Sequence, residues 1–109
     1  MTVPERGDVI ILDFDPQAGR EQMKRRPALV LSPSSFNEIF GLAFVAPVTS
    51  KPKGHAFEVP LPPGCGAEGV AMIHQLKSFD WRARCARRAG RVPQAVAEAA
   101  AEIIKEIVA

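Results

Sequence analysis

Short apolar segments, most of them closed by proline, glycine or serine, recur along the first 90 residues and restrict the folds open to this chain. Segments of five to eight residues that are rich in valine and isoleucine favour strands. They occupy residues 8–13, 27–32, 42–48, 57–61 and 69–76, with a weaker candidate at 84–88. The connections between them are too short for the crossovers that parallel strands require. The sequence therefore predicts a small antiparallel barrel or sandwich.

The end of the chain has a different pattern. After Pro93, a residue suited to the first turn of a helix, apolar side chains follow at spacings of three and four, as on one face of a helix. This face holds Val96, Ala100, Ile103, Ile104 and Ile107. A length of 109 residues fits one globular domain. We therefore expect residues 1–109 to form a single, mostly β domain with a C-terminal helix.

The charge of the chain is unevenly distributed. The segment that follows Pro93 holds one of the 14 bases and three of the 12 acids. Residues 1–92 therefore keep 13 bases and nine acids, so that a net charge of +2 for the chain becomes +4 for this part. Such a basic excess is compatible with a polyanionic partner.

Membrane, secretion and metal signals are weak in this sequence. The longest uncharged run, residues 39–50, has 12 residues, fewer than the roughly 18 apolar residues of a membrane-spanning helix. Acidic residues interrupt any apolar core of a signal peptide near the N-terminus, so a cytoplasmic protein that does not contact the membrane is expected. Cys65, Cys85, His55 and His74 lack the close pairs typical of zinc sites, so no metal or other cofactor is expected.

Three polar segments are candidates for function, although each also fits an ordinary solvated surface. Residues 19–26 hold four bases and one carboxylate between two predicted strands. In residues 71–78, Gln75, Lys77 and Ser78 supply hydrogen-bonding groups directly beyond an apolar strand. Residues 82–91 hold five arginines and no acid, a composition that suits phosphate contacts. Nucleophile elbows and phosphate-binding glycine loops are missing from the sequence. An acid–base pair formed by His55 and His74 stays open as a route to RNA cleavage.

A series of short motifs extends over nearly the whole chain. It comprises RGDV at 6–9, DFDP at 13–16, Gly19 with EQ at 21–22, RPALVLS at 26–32, PVTS at 47–50, FEV at 57–59, QLKS at 75–78 and WRAR at 81–84. On these motifs the chain resembles the MazF/PemK (Kid) family of toxin endoribonucleases, the toxin halves of type II toxin–antitoxin pairs. The resemblance implies an SH3-like antiparallel barrel of the CcdB/PemK type with a C-terminal helix.

The resemblance also implies an activity. Family members cleave single-stranded mRNA at short sequences, without a ribosome or a metal ion, by turning the 2′-hydroxyl against the adjacent phosphate. The products carry 2′,3′-cyclic phosphate and 5′-hydroxyl ends, and the cleavage inhibits translation and growth. The implied catalytic residues are Arg26 and Thr49, with Glu21 as the nearby carboxylate able to accept a proton. The implied RNA-binding residues are Gln22, Lys24, Gln75, Lys77 and Ser78, with Arg84 as a weaker backbone contact.

The partners implied by the resemblance are RNA, a second copy of the chain and an antitoxin. In the family, the RNA groove follows a homodimer interface, and the disordered acidic tail of a MazE-like antitoxin occupies it; operator DNA is bound only through the antitoxin complex. Many relatives have an acidic residue where this chain has His74, which leaves the RNA sequence preference open. A gyrase-poisoning toxin of the same architecture, or an RNA-binding module without catalysis, remains an alternative.

Overall fold

Seven strands and two helices make up the part of the chain that the computed structural model describes, residues 2–14 and 25–109. The strands are β1 (Asp8–Asp13), β2 (Arg25–Val30), β3 (Leu42–Thr49), β4 (Glu58–Pro60), β5 (Val70–Met72), β6 (Lys77–Asp80) and β7 (Arg87–Arg91). The helices are α1 (Ser34–Phe40) and α2 (Gln94–Val108), and a 3-10 turn (Ile73–Gln75) separates β5 from β6. Neither helix is long and apolar enough to cross a membrane.

All strand pairings in the sheet are antiparallel. The order is β4-β5-β3-β2-β1-β7, and β6 pairs with β3. The prediction of an antiparallel, mostly β fold that ends in a helix is confirmed.

The three central strands are buried on both faces, which explains their nearly continuous apolar sequences. Along β1, Val9 packs into one core with α2, and Ile10 packs into a second core with Trp81. Successive side chains of a strand point to opposite faces, so β2 and β3 divide between the two cores in the same way. Helix α2 places Ala97 and Ala100 in the first core. The periodicity that predicted this helix is confirmed.

The structure differs from the sequence prediction at three places. Strand β2 begins at Arg25 rather than at residue 27, because Arg25 and Arg26 continue the pairing with β1. The predicted strand 69–76 is interrupted by the 3-10 turn, and β6 continues beyond it. The last strand begins at Arg87 rather than at residue 84, because residues 81–85 form a turn.

Helix α1 was not predicted from the sequence. Its buried Asn37 side chain donates hydrogen bonds to the backbone carbonyls of Pro4 at 2.9 Å and Ser32 at 3.1 Å. The indole of Trp81 in turn donates to the Asn37 carbonyl at 3.1 Å. A seven-residue helix has little stability of its own, so these contacts with distant segments stabilise it.

Candidate active site

Arg26 and Thr49 come to the same end of two paired strands. Strands β2 and β3 run antiparallel, with Ala28 opposite Pro47. Arg26 lies two residues before Ala28 and Thr49 two residues after Pro47, so both extend beyond this pair in one direction. Directly opposed residues share a face and side chains alternate. Arg26 and Thr49 therefore belong to the sheet face that also carries Leu12, the residue opposite Arg26 in β1.

The exposed side chain of Arg26 lies against an aromatic ring. Its guanidinium carbon is 5.5 Å from the centroid of the Phe14 ring, within the range of a cation–π interaction. The positive charge is thus held at the end of β1 and β2 while the side chain remains accessible. A planar group with several N–H donors in this position suits the binding of phosphate oxygens.

Thr49 ends β3 with a half-buried side chain whose hydroxyl is oriented. The Oγ1 atom accepts a hydrogen bond from the Lys51 backbone N–H at 3.1 Å. Because the oxygen is used as an acceptor, the hydroxyl proton remains available for donation to a ligand.

The backbone of Thr49 is closely approached by Gly69, the residue before β5. Gly69 has a φ of +120°, and a Cβ atom placed on it would lie 1.9 Å from the Thr49 carbonyl oxygen. This position therefore requires glycine both for its backbone conformation and for its contact.

We expect Gly69→Ala to destabilise the fold by about 1–3 kcal/mol or more, because strain at φ is added to a clash, and to displace Thr49. Urea unfolding measures the loss of stability. The matched control is Gly54→Ala, since Gly54 has a φ of +84° but no atoms within 4 Å of the added Cβ. Equal losses in the two variants would contradict a specific contact with Thr49.

The segment between β5 and β6 bulges out of the sheet and carries Gln75. Both strands pair with β3, Ala71 opposite Val48 and Lys77 opposite Val45. Two residues of β3 therefore face five residues of the joining segment. The three additional residues form the 3-10 turn, which packs against α2, and leave the Gln75 side chain exposed.

Lys77 and Ser78 belong to opposite faces of β6. Lys77 is opposite Val45, which lies four residues before Thr49 and so on the same face. Ser78 is opposite Phe44, on the other face. The structure thus brings Lys77 to the side of Arg26 and Thr49 but not Ser78.

Arg84 is tied to the end of β1. Its Nη1 atom donates to the carbonyl oxygens of Asp13 at 3.1 Å and Phe14 at 2.8 Å. Its guanidinium carbon also lies 4.5 Å from the centroid of the Phe79 ring. The geometry thus gives Arg84 a role within the protein, and its contact with RNA stays a prediction. The predicted residues Glu21, Gln22 and Lys24 lie outside the described residues.

The sequence of the chain is similar to those of known proteins. Residues 5–108 match the model of the family described as "PemK-like, MazF-like toxin of type II toxin-antitoxin system". The chain belongs to this family. It is similar to the endoribonuclease toxin MazF of Escherichia coli K12, with 48% identity over 90 residues, which cover 83% of this chain and 80% of that protein. It is also similar to the endoribonuclease toxin ChpB of the same strain, with 41% identity over 101 residues, which cover 88% of this chain and 86% of ChpB.

A solved structure of the family supports the same fold. The crystal structure of MazE–MazF from Deinococcus radiodurans (Form-II) superimposes with a TM-score of 0.91 and 42% sequence identity, covering 99% of this chain and 97% of that chain. The fold implied by the resemblance to MazF and PemK is confirmed.

Two histidines that are distant in sequence pack together in this MazF-like chain. The rings of His55 and His74 meet edge to face with centroids 4.7 Å apart. No phosphate fits between two rings in contact, so this arrangement disfavours a mechanism in which they act as acid and base on either side of it. The side chain of His74 is exposed, because this residue lies in the 3-10 turn rather than in a strand of the sheet.

Glu58 organises the loop beneath these histidines. Its carboxylate oxygens accept the backbone N–H groups of Lys53 and Gly54, each at 2.9 Å. These hydrogen bonds, above all the one from Lys53, lower the pKa of Glu58. Burial of the carboxyl group acts in the opposite direction, and the positive potential of the two histidines lowers the pKa further. Within residues 2–14 and 25–109, no group of three or more His, Cys, Asp or Glu side chains is arranged to hold a metal ion.

Proposed function

We propose that the chain is a toxin endoribonuclease that acts in the cytoplasm and cleaves single-stranded mRNA without the ribosome, which inhibits translation and growth. The observation that carries this proposal is the convergence of Arg26 and Thr49 on one end and one face of the β2–β3 pair. The names of the relatives, endoribonuclease toxins MazF and ChpB, support the same activity. Residues 1–109 act as a single toxin domain.

The proposed reaction uses the RNA's own 2′-hydroxyl as the nucleophile. A bond forms between the 2′-oxygen and phosphorus, the bond to the 5′-oxygen breaks, and the proton lost by the 2′-hydroxyl is balanced by one gained at the leaving oxygen. Charge builds up on the phosphorane oxygens, where the donors of Arg26 stabilise it. An arginine side chain in a protein stays protonated at neutral pH, so Arg26 acts as an electrostatic clamp or an acid and not as a base. Thr49 positions the 2′-hydroxyl, and Glu21 accepts its proton.

We assign RNA binding to the other residues that the family resemblance implies. Lys77, on the same face, provides a positive charge for a phosphate, and Gln75, in the bulge, provides an amide that can bond a base edge. Gln22 and Lys24 contribute from the segment between β1 and β2. Ser78 contributes only where the RNA strand passes around the edge of β6, because it belongs to the opposite face.

The proposed protein partner is a cognate MazE-like antitoxin. A structure from Deinococcus radiodurans that is similar to this chain is a MazE–MazF complex. The basic excess of residues 1–92 suits a disordered acidic antitoxin tail, which would order on binding. Operator DNA would be bound only through the antitoxin complex.

A homodimer is expected because helix α2 ends in exposed apolar side chains. Ile107 is 48% exposed and Val108 is 74% exposed, and such residues at a helix end commonly mark a protein contact. Light scattering at micromolar concentration should give twice the 11.8 kDa mass of the chain. The double variant Ile107→Glu/Val108→Glu should shift the equilibrium towards monomer. A strict monomer before substitution would contradict this proposal.

The product ends test the proposed reaction. We expect RNA fragments with 5′-hydroxyl and 2′,3′-cyclic phosphate ends, formed at an unchanged rate in EDTA, because the nucleophile needs no metal-bound water. Sequencing the 5′ ends also identifies the recognition sequence. Cleavage that stops in EDTA and returns with magnesium would contradict the mechanism. RNA binding without cleavage would favour the binding-module alternative, and inhibition of gyrase without cleavage would favour the gyrase poison.

A further inference from the structure

We propose that Phe14 is a positioning residue that orients the guanidinium of Arg26 for catalysis, and that Arg84 holds Phe14 in place. This inference rests on the proposed function, in which Arg26 stabilises the transition state. An exposed arginine has several rotatable bonds, and a donor stabilises developing charge only when it is already oriented. The Phe14 ring supplies a surface for that orientation, with the guanidinium carbon 5.5 Å from its centroid.

The Phe14 ring is itself fixed by a second ring. Phe14 and Phe79 meet edge to face with centroids 4.9 Å apart and planes at 66°. Phe79 is buried and lies opposite Ala43 in β3, the strand that ends at Thr49. These contacts thus link the guanidinium of Arg26 to β3, the strand that carries Thr49.

Arg84 contacts both the backbone of Phe14 and the Phe79 ring against which Phe14 packs. It donates to the Phe14 carbonyl at 2.8 Å and to the Asp13 carbonyl at 3.1 Å, and its guanidinium stacks on Phe79 at 4.5 Å. The Asp13 N–H donates in return to the Arg84 carbonyl at 3.0 Å. The turn after β6 and the end of β1 are therefore connected from both sides.

Arg25 reinforces the same junction from β2. Its Nη1 atom forms an ion pair with Asp13 at 2.8 Å, and its Nη2 atom donates to the carbonyls of Ile11 at 3.0 Å and Cys85 at 2.9 Å. Neighbouring arginines in the sequence thus have different tasks. Arg25 ties the strand ends together, whereas Arg26 remains accessible over the ring.

The inference separates two possible roles of Arg84. A residue that contacts RNA affects the affinity for the substrate and so raises KM. A residue that acts through Phe14 on the orientation of Arg26 lowers kcat and leaves KM nearly unchanged.

The test compares single-turnover and steady-state cleavage by Phe14→Leu, Phe14→Tyr and Arg84→Met. Misplacing a catalytic group by about 1 Å can cost on the order of 100-fold in rate, so we expect Phe14→Leu to lose roughly 10- to 100-fold in kcat with KM within about twofold. Phe14→Tyr keeps the aromatic face and should restore the rate. Arg84→Met should lower kcat in the same way. Thermal unfolding is followed for each, and Phe14→Met, which keeps the volume without the ring, replaces Phe14→Leu if that variant does not fold.

Phe36→Leu is the matched control. Phe36 is half-buried like Phe14 and also packs on a ring 4.9 Å away, that of Phe40, but it lies on α1. Its substitution should leave kcat unchanged. A wild-type kcat for Phe14→Leu, or a rise in KM alone, would overturn the inference.

The combination with Arg26→Ala separates this inference from the proposed function. If Phe14 acts through Arg26, Phe14→Leu should reduce the residual single-turnover rate of Arg26→Ala no further. A further loss in this background would overturn the inference and leave the catalytic role of Arg26 intact. Wild-type cleavage by Arg26→Ala would instead overturn the site assignment in the proposed function.

Discussion

Arg26→Ala should reduce cleavage by about 100- to 1,000-fold, the loss typical for removal of one preorganised donor to a developing oxyanion. RNA binding should weaken but remain measurable, because the role proposed for Arg26 is to stabilise the transition state. The guanidinium of Arg26 is exposed and lies over the Phe14 ring. Single-turnover cleavage and fluorescence anisotropy of labelled RNA measure the two effects separately.

Further substitutions at the same site show which chemical property matters. Arg26→Lys keeps the charge but loses the planar pair of donors, so it should not restore the full rate. Thr49→Ala should be impaired more than Thr49→Ser, because serine keeps the hydroxyl that can donate to the substrate. These variants leave the paired backbone of β2 and β3 unchanged, and their unfolding curves should stay close to that of the wild type.

The two histidines are the controls for this assignment. His55→Ala and His74→Ala should still cleave RNA, because the packed rings leave no room for a phosphate between them. If both histidine variants are inactive and Arg26→Ala cleaves normally, the assignment of the active site is wrong.

The strands at the centre of the fold could be predicted because each is buried on both faces, so its sequence is apolar almost without interruption. Helix α2 could be predicted because its apolar spacing follows one helical face. Helix α1 could not, since its stability depends on bonds between Asn37 and segments as distant as Pro4 and Trp81. The break between β5 and β6 could not be predicted either. It arises because the segment that joins these strands has five residues where β3 has only two.

The resemblance to the family identified the residues of the candidate site. The register of the paired strands in the structure shows how these residues are arranged. Arg26 and Thr49 were named from separate motifs, and only the pairing of β2 with β3 places them on one face. The link from Arg84 to Phe14 spans 70 positions in the sequence. A local sequence pattern contains no information about such a contact, so the contact of Arg84 with the end of β1 could not be predicted.

RNA with a 2′-deoxy sugar at the scissile position should resist cleavage completely. The proposed reaction forms its first bond from the 2′-oxygen, and no group of the protein replaces this nucleophile. The substrate is a short RNA that contains the sequence identified from the fragment ends, with a single deoxy substitution on the 5′ side of the scissile phosphate. Because RNA-binding proteins use 2′-hydroxyls for recognition as well as chemistry, affinity must be measured together with cleavage.

A second RNA that carries its deoxy substitution one nucleotide further towards the 3′ end is the matched control. It keeps the nucleophile and differs from the first substrate only in the position of the missing oxygen, so it should be cleaved with at most a modest loss of rate. The resistant RNA should still bind, and it should compete with the cleavable one at a concentration near its dissociation constant. Cleavage of both RNAs at equal rates would mean that the nucleophile is water or a side chain. In that case Arg26 and Thr49 would have to be reconsidered as residues of a hydrolytic site.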